Sequence, residues 1–150
     1  MATAVDRALL EAQVDLLRAR YPQESFLLGD AGLVVRHVGI PSRTGDRYTL
    51  RYDFGDTFDA GPPSAIFCDP ATFALGRAQD WPAGPDRLFK LPPNNGLGWI
   101  CTPMTREGRA HHAEWAAIGL WEPTRPLESI VGAMREVLQL SDVPSRPVAA

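Results

Sequence analysis

Lysine is almost missing from this 150-residue chain: fourteen of its fifteen basic residues are arginine, and Lys90 is the exception. Cysteine is scarce too, and Cys68 with Cys101 are too few for a disulfide framework, so both are expected as reduced thiols. No apolar run approaches the roughly 18 residues a membrane span needs, and the first residues hold no basic segment followed by an apolar stretch and a cleavage site. A cytoplasmic location is expected. The fifteen basic residues are interspersed among eighteen acidic ones, giving a net charge of −3 and no basic stripe that would neutralise phosphates. Nucleic acid is therefore not an expected partner. The chain also lacks a Gly-x-Gly-x-x-Gly turn, a Walker-type lysine and a serine nucleophile elbow, which argues against nucleotide binding and serine hydrolysis.

What the chain does have is enough apolar material, 45% of its residues, for one ordinary core and hence one domain over residues 1–150. Val5, Ala8, Leu9, Ala12, Leu16 and Ala19 recur at helical spacing, and Thr3 with Asp6 forms a capping pair, so a helix is predicted from Ala4 to Arg20, closed by Tyr21-Pro22. Four segments rich in β-branched and aromatic residues follow, Ser25 to Leu28, Leu33 to Ile40, Arg47 to Phe54 and Ser64 to Cys68, joined by hairpin-sized turns. They predict an antiparallel meander. In the third, Tyr48, Leu50, Tyr52 and Phe54 alternate with Arg47, Thr49, Arg51 and Asp53, which assigns the aromatics to the core and the other set to water. From Asp69 to Gly98, Pro70, Pro82, Pro85, Pro92 and Pro93 break any period, so an irregular surface stretch is expected, with one helical turn near Phe73 to Leu75. Thr102 to Glu114 reads as a polar connection. A last helix is predicted from Pro126, with Leu127, Ile130, Val131, Met134, Val137 and Leu138 on one face, followed by a frayed tail over 141–150. The fold class is thus α+β.

Cys101 is the residue with the clearest chemical setting. It lies just past the turn Pro92-Pro93-Asn94-Asn95-Gly96, where a thiol and an upstream amide have the makings of a nucleophile with an oxyanion donor. Asn94 is the first choice of donor and Asn95 the second, although Asn and Gly also simply make tight turns. His111 and His112 offer a general base near neutral pH, and because neighbours point apart at most one of them faces the thiol; His111 is the residue selected. Apolar Trp99 and Ile100 beside Cys101 also fit a buried, inert thiol. Cys68 reads as core. Asp69, Asp80, Asp86 and Glu114 share the region without a spacing that selects one. Cys68, Cys101, His111 and His112 are zinc-compatible ligand types, but they lack the compact spacing of a metal site, and none is expected.

The order helix, meander, Pro-rich loop, cysteine, Trp-x-Pro and helix resembles the ubiquitin-conjugating enzyme fold over roughly Ala4 to Leu140. Gly61-Pro62-Pro63-Ser64-Ala65-Ile66-Phe67 looks like that family's strand entry, Pro93-Asn94 like the end of its His-Pro-Asn turn, Ile100-Cys101 like its nucleophile, and Trp121-Glu122-Pro123 like its Trp-x-Pro segment. Departures are Pro92 in place of the turn histidine, a longer stretch between Cys101 and Trp121, and no counterpart of two C-terminal helices. The set looks like compact bacterial relatives in ubiquitin-like conjugation systems, some acting in antiphage defence. The resemblance implies a transferase whose Cys101 takes a ubiquitin-like protein as a thioester from an activating-enzyme-like partner and passes it to an amine. It implies no cofactor, the ATP being consumed by the partner. It also fits an inactive variant that binds a ubiquitin-like protein or bridges subunits. On this view the scarcity of lysine has two readings: GC-rich codon usage, or the removal of amines that would accept the acyl group in cis.

Overall fold

The computed structural model describes residues 2–58, 60–117 and 124–146. Trp121, Glu122 and Pro123, together with 147–150 of the expected tail, lie outside the described residues. The molecule is α+β, with an N-terminal helix, a four-stranded antiparallel sheet and a C-terminal helix.

Helix α1 (Ala4–Arg20) begins with the reciprocal box expected of Thr3 and Asp6: the Thr3 hydroxyl accepts from the Asp6 N–H and the Asp6 carboxylate accepts from the Thr3 N–H. The same carboxylate accepts from the Phe58 N–H, so the cap also fastens a distant loop. Leu10, Val14 and Leu17 enter the core. Strands β1 (Ser25–Leu28), β2 (Val34–Pro41), β3 (Arg47–Asp53) and β4 (Ser64–Phe67) then form a meander in chain order, every pair antiparallel. Register sets Phe26, His37, Leu50 and Phe67 in one row across the core face. A bulge between Val38 and Ile40 is turned by Gly39, whose φ of 82° favours glycine.

The opposite face of β3 is less wet than its alternation predicts. Thr49 is only 2% exposed and Arg51 is half-buried, because the chain beyond β4 folds back and sets Phe73 under the Arg36 guanidinium, 4.7 Å from the ring centre. Residues 73–75 make no helical turn: Phe73 takes a left-handed conformation (φ 62°), and a short 3-10 helix forms instead at Ala78–Asp80. Nor is the Pro-rich stretch superficial, since Trp81 and Phe89 are buried and both rings pack edge-on against Phe67. Phe89–Lys90 (β5) pairs antiparallel with Trp99–Ile100 (β6), and Arg106–His111 forms a short helix, α2, where a polar connection was expected.

Helix α3 (Pro126–Leu138) covers the remaining core with Leu127, Ile130, Val131, Met134 and Leu138. Its own cap residue, Arg125, supplies no side-chain bond; instead Gln13 Oε1 on α1 accepts from the N–H groups of Leu127 and Glu128. Residues 141–146 do not fray: Val143 is fully buried, its carbonyl accepts from Arg43, and Arg146 lies over the Tyr48 ring.

One polar chain runs through this core. His37, 0% exposed, meets Tyr52 Oη through Nδ1 at 2.9 Å and Glu24 Oε1 through Nε2 at 2.8 Å, while Arg135 of α3 grips the other Glu24 oxygen. Burial pushes the His37 imidazole below its ordinary value, so it is neutral, donating from Nε2 to Glu24 and accepting at Nδ1 from the tyrosine hydroxyl. Burial works against the Glu24 charge, but bonds from His37 and Arg135 outweigh it and hold the carboxyl below its usual range.

Two outcomes follow from these bonds. The unfolded chain takes up the His37 proton near pH 6.5, where the native imidazole stays neutral, so stability is complete above that pH and falls as pH drops below it, with Glu24 adding to the loss below about 4.5. Urea midpoints measured between pH 8 and 5 should show this fall, and His37→Gln should flatten the part nearest pH 6. Gln13→Leu should cost about 1–2 kcal/mol in the same unfolding experiment, because two helix N–H groups lose their acceptor.

Candidate active site

Cys101 sits at the exit of β6, its N–H bonded to the Leu88 carbonyl at 2.7 Å, so the β5–β6 ladder extends one pair past Ile100. Extended backbone alternates its side chains. Ile100 therefore points into the core, where it is fully buried, while Trp99 and Cys101 share the outer face and both are partly exposed. Lys90 lies directly opposite Trp99 in the register and joins that face, with its ammonium 6.0 Å from the indole centre.

Three local features hold β6 in place. Gly98 (φ 88°) lies against the Trp81 indole so closely that a Cβ there would come within 2.2 Å of the ring. Thr105, the cap of α2, accepts from the Gly108 N–H and donates to the Ile100 carbonyl at 2.7 Å. Gly108 in turn packs on the Thr102 backbone, where a Cβ would meet the carbonyl oxygen at 2.1 Å. Glu107 reaches back from α2 to Ser64 and Ala65 of β4. The helix, the site strand and the meander are thereby tied together around the cysteine.

Helix α2 brings His111 onto this face. Its ring stacks on Trp99, 4.0 Å between centres and 6° from parallel, whereas His112 stacks on Trp115 and bonds Glu114. The two adjacent histidines are thus split between different tryptophans, and the one stacked on the tryptophan of the cysteine's strand is His111. No hydrogen bond joins the His111 ring to the Cys101 sulfur among the described residues.

The loop 91–98 separates the two asparagines by role. Asn95 donates from Nδ2 to the Leu91 carbonyl and braces the turn, while Asn94 is exposed and its amide has no protein partner among the described residues. Asn94 lines an open groove of about 510 Å³ with Asp86, Phe89, Lys90 and Leu91. Cys101 does not line that groove; Lys90 connects the two, since it forms part of the groove and of the cysteine's face. Asp69 and Asp80 are both engaged by Arg77, which leaves neither free to orient an amine.

The two thiols differ in kind. Cys68 is 1% exposed and burial pushes its thiol up to about 11. At Cys101 partial burial also raises the thiol above its ordinary value, with the Lys90 charge acting in the opposite direction. Lys90 and Trp99 are the members of this site that sequence patterning does not identify by role. Their signal is faint, two residues on each side of an irregular loop whose alternation becomes visible only once the strands pair. No cluster of three or more metal-ligating side chains forms among the described residues.

Iodoacetamide should therefore label Cys101 in the native protein and leave Cys68 intact until unfolding, as read by peptide mass mapping. The Cys101 rate should still be climbing with pH past the range where free thiols level off, and Lys90→Gln should slow it several-fold at fixed pH by removing the nearby positive charge. Equal labelling of both thiols in the folded state would contradict the burial described.

The comparisons with known proteins add no further constraint: no family model matches the chain, and no curated protein or solved structure matches it.

Proposed function

We propose that the protein carries a ubiquitin-like protein as a thioester on Cys101 and transfers it to an amine, within a bacterial ubiquitin-like conjugation system of the ubiquitin-conjugating-enzyme type. The observation that carries this reading is the placement of a partly exposed thiol at the end of β6, on a face shared with Lys90, Trp99 and His111 and framed by α2 and β4. Thiolate chemistry suits a carrier, because sulfur accepts an acyl group readily and gives it up readily. In the proposed cycle an activating-enzyme-like protein supplies the acyl group, His111 takes a proton from the thiol or the incoming amine, and the free amide of Asn94 donates to the tetrahedral oxyanion. Such a donor supplies ~3 kcal/mol of transition-state stabilisation.

A second reading has its own observation in support. The thiol sits above its ordinary value and forms no bond with an imidazole, which fits a module of the same fold that binds a ubiquitin-like protein or bridges subunits without chemistry.

Incubation with a cognate activating enzyme, its ubiquitin-like protein and ATP separates the two on a non-reducing gel. A reductant-sensitive adduct is expected, lost in Cys101→Ala and retained in Cys68→Ala. With the adduct formed, Asn94→Ala should slow discharge to an added amine about 100-fold while leaving loading intact. Binding of the ubiquitin-like protein with no adduct would establish the docking module instead.

A further inference from the structure

The chain has one lysine, and the fold sets it beside the proposed acyl carrier. Lys90 faces Trp99 across the β5–β6 ladder, and Cys101 is the next residue on that face, diagonal to Lys90. Diagonal neighbours of an antiparallel pair have Cβ atoms about 7–8 Å apart, a gap that a long side chain spans. The ammonium now rests on the Asp86 carbonyl at 2.7 Å, an exposed single bond that rotation of the side chain breaks. The open groove lined by Lys90 and Asn94 leaves space on the side from which the amine would swing.

We propose that Lys90 is a modification site, the intramolecular acceptor of an acyl group held as a thioester on Cys101. This inference rests on the carrier reading above and adds a definite fate for the acyl group when no external amine is present. In the step itself, the Lys90 nitrogen in its unprotonated form attacks the thioester carbonyl carbon. A C–N bond forms, the C–S bond breaks, the sulfur leaves as thiolate, and the nitrogen releases a proton to solvent. The products are an amide on Lys90 and a restored Cys101. Because the other fourteen of the fifteen Lys and Arg side chains are guanidinium groups, which do not lose their proton in proteins, Lys90 is the only side-chain amine open to this reaction. Self-acylation would cap the one amine beside the thiol, after which acyl groups pass outward only.

The test uses a small donor, so that it does not depend on finding the cognate partner. The full chain is pulsed with the S-phenyl thioester of acetylglycine at pH 8.5, desalted, and followed by intact mass and peptide mapping, with hydroxylamine used to cleave thioester but not amide. A hydroxylamine-sensitive adduct on Cys101 should convert to a resistant one on Lys90, at a rate that rises with pH and does not change when the protein is diluted 100-fold. Lys90→Arg should lengthen the life of the Cys101 adduct at least tenfold, and Cys101→Ala should cut acylation of Lys90 at least tenfold. A Cys101 adduct that hydrolyses while Lys90 stays free overturns this inference and leaves the carrier reading standing. Equal acylation of Lys90 in Cys101→Ala overturns it as well, since the thiol is then not the donor. Failure of the aryl thioester to acylate Cys101 at all overturns both proposals.

Discussion

The contact between the Trp81 indole and Gly98 is the constraint on which the arrangement around Cys101 depends. Trp81 is buried against Phe67 of β4, with 4.9 Å between ring centres, and on its other side it leaves no room at residue 98 for even one carbon beyond the backbone. A ring buried this deeply contributes on the order of 3–5 kcal/mol when judged by truncation, so its position is set by the core and the loop must conform to it. Gly98 conforms by having no side chain and by accepting a φ that L-residues avoid. The next three residues are Trp99, Ile100 and Cys101, which means the depth and facing of the thiol are inherited from an indole twenty positions earlier.

The environment so created balances two opposing effects on the sulfur. Burial favours the neutral thiol and the Lys90 charge favours the thiolate, and burial prevails. For a nucleophile that must be abundant at neutral pH this is unfavourable, because the reactive fraction shrinks as the pKa rises. For a carrier the same balance has a benefit, since a more basic thiolate is intrinsically more nucleophilic once formed and leaves more slowly, which lengthens the life of the thioester. Under the carrier proposal, this balance favours holding an acyl group over rapid turnover.

The parts of the fold that were legible in the sequence are those with caps and periods. Thr3 with Asp6, Pro126, and the alternating Tyr48, Leu50 and Tyr52 of β3 each carry their structural cause in adjacent residues, and the three elements form where they were read, although Thr49 on the outer face of β3 is buried. The parts that were not legible owe their form to distant partners. Phe89–Lys90 and Trp99–Ile100 are too short for any period and become strands only by pairing with each other. Trp81 looks like part of a Pro-rich surface segment because nothing local signals the Phe67 ring that receives it. His37 occupies a core position in the alternation of β2, but its Glu24 and Arg135 partners come from other elements, and an isolated histidine does not announce them. Gly98 reads as one more turn glycine, although its role is steric.

The structure also gives the arginine bias a physical content that composition alone could not. Arg18 places both Nε and a terminal nitrogen on the Phe26 carbonyl, Arg7 spans the carbonyls of Gly29 and Gly32, and Arg77 holds Asp80 through two nitrogens while reaching Asp69. Arg135 and Arg146 lie over Tyr21 and Tyr48, each 4.0 Å from the ring centre, while Arg135 also grips Glu24 and Arg146 donates its backbone N–H to Asp46. Forked donation and planar stacking are tasks of a guanidinium, and an ammonium on a flexible stem performs neither well. Lys90 makes one hydrogen bond, to an exposed carbonyl, and a distant approach to Trp99. Its position beside the thiol makes no use of a fork or a plane; what lysine supplies there is a compact positive charge that, unlike a guanidinium, can shed its proton and act as an amine.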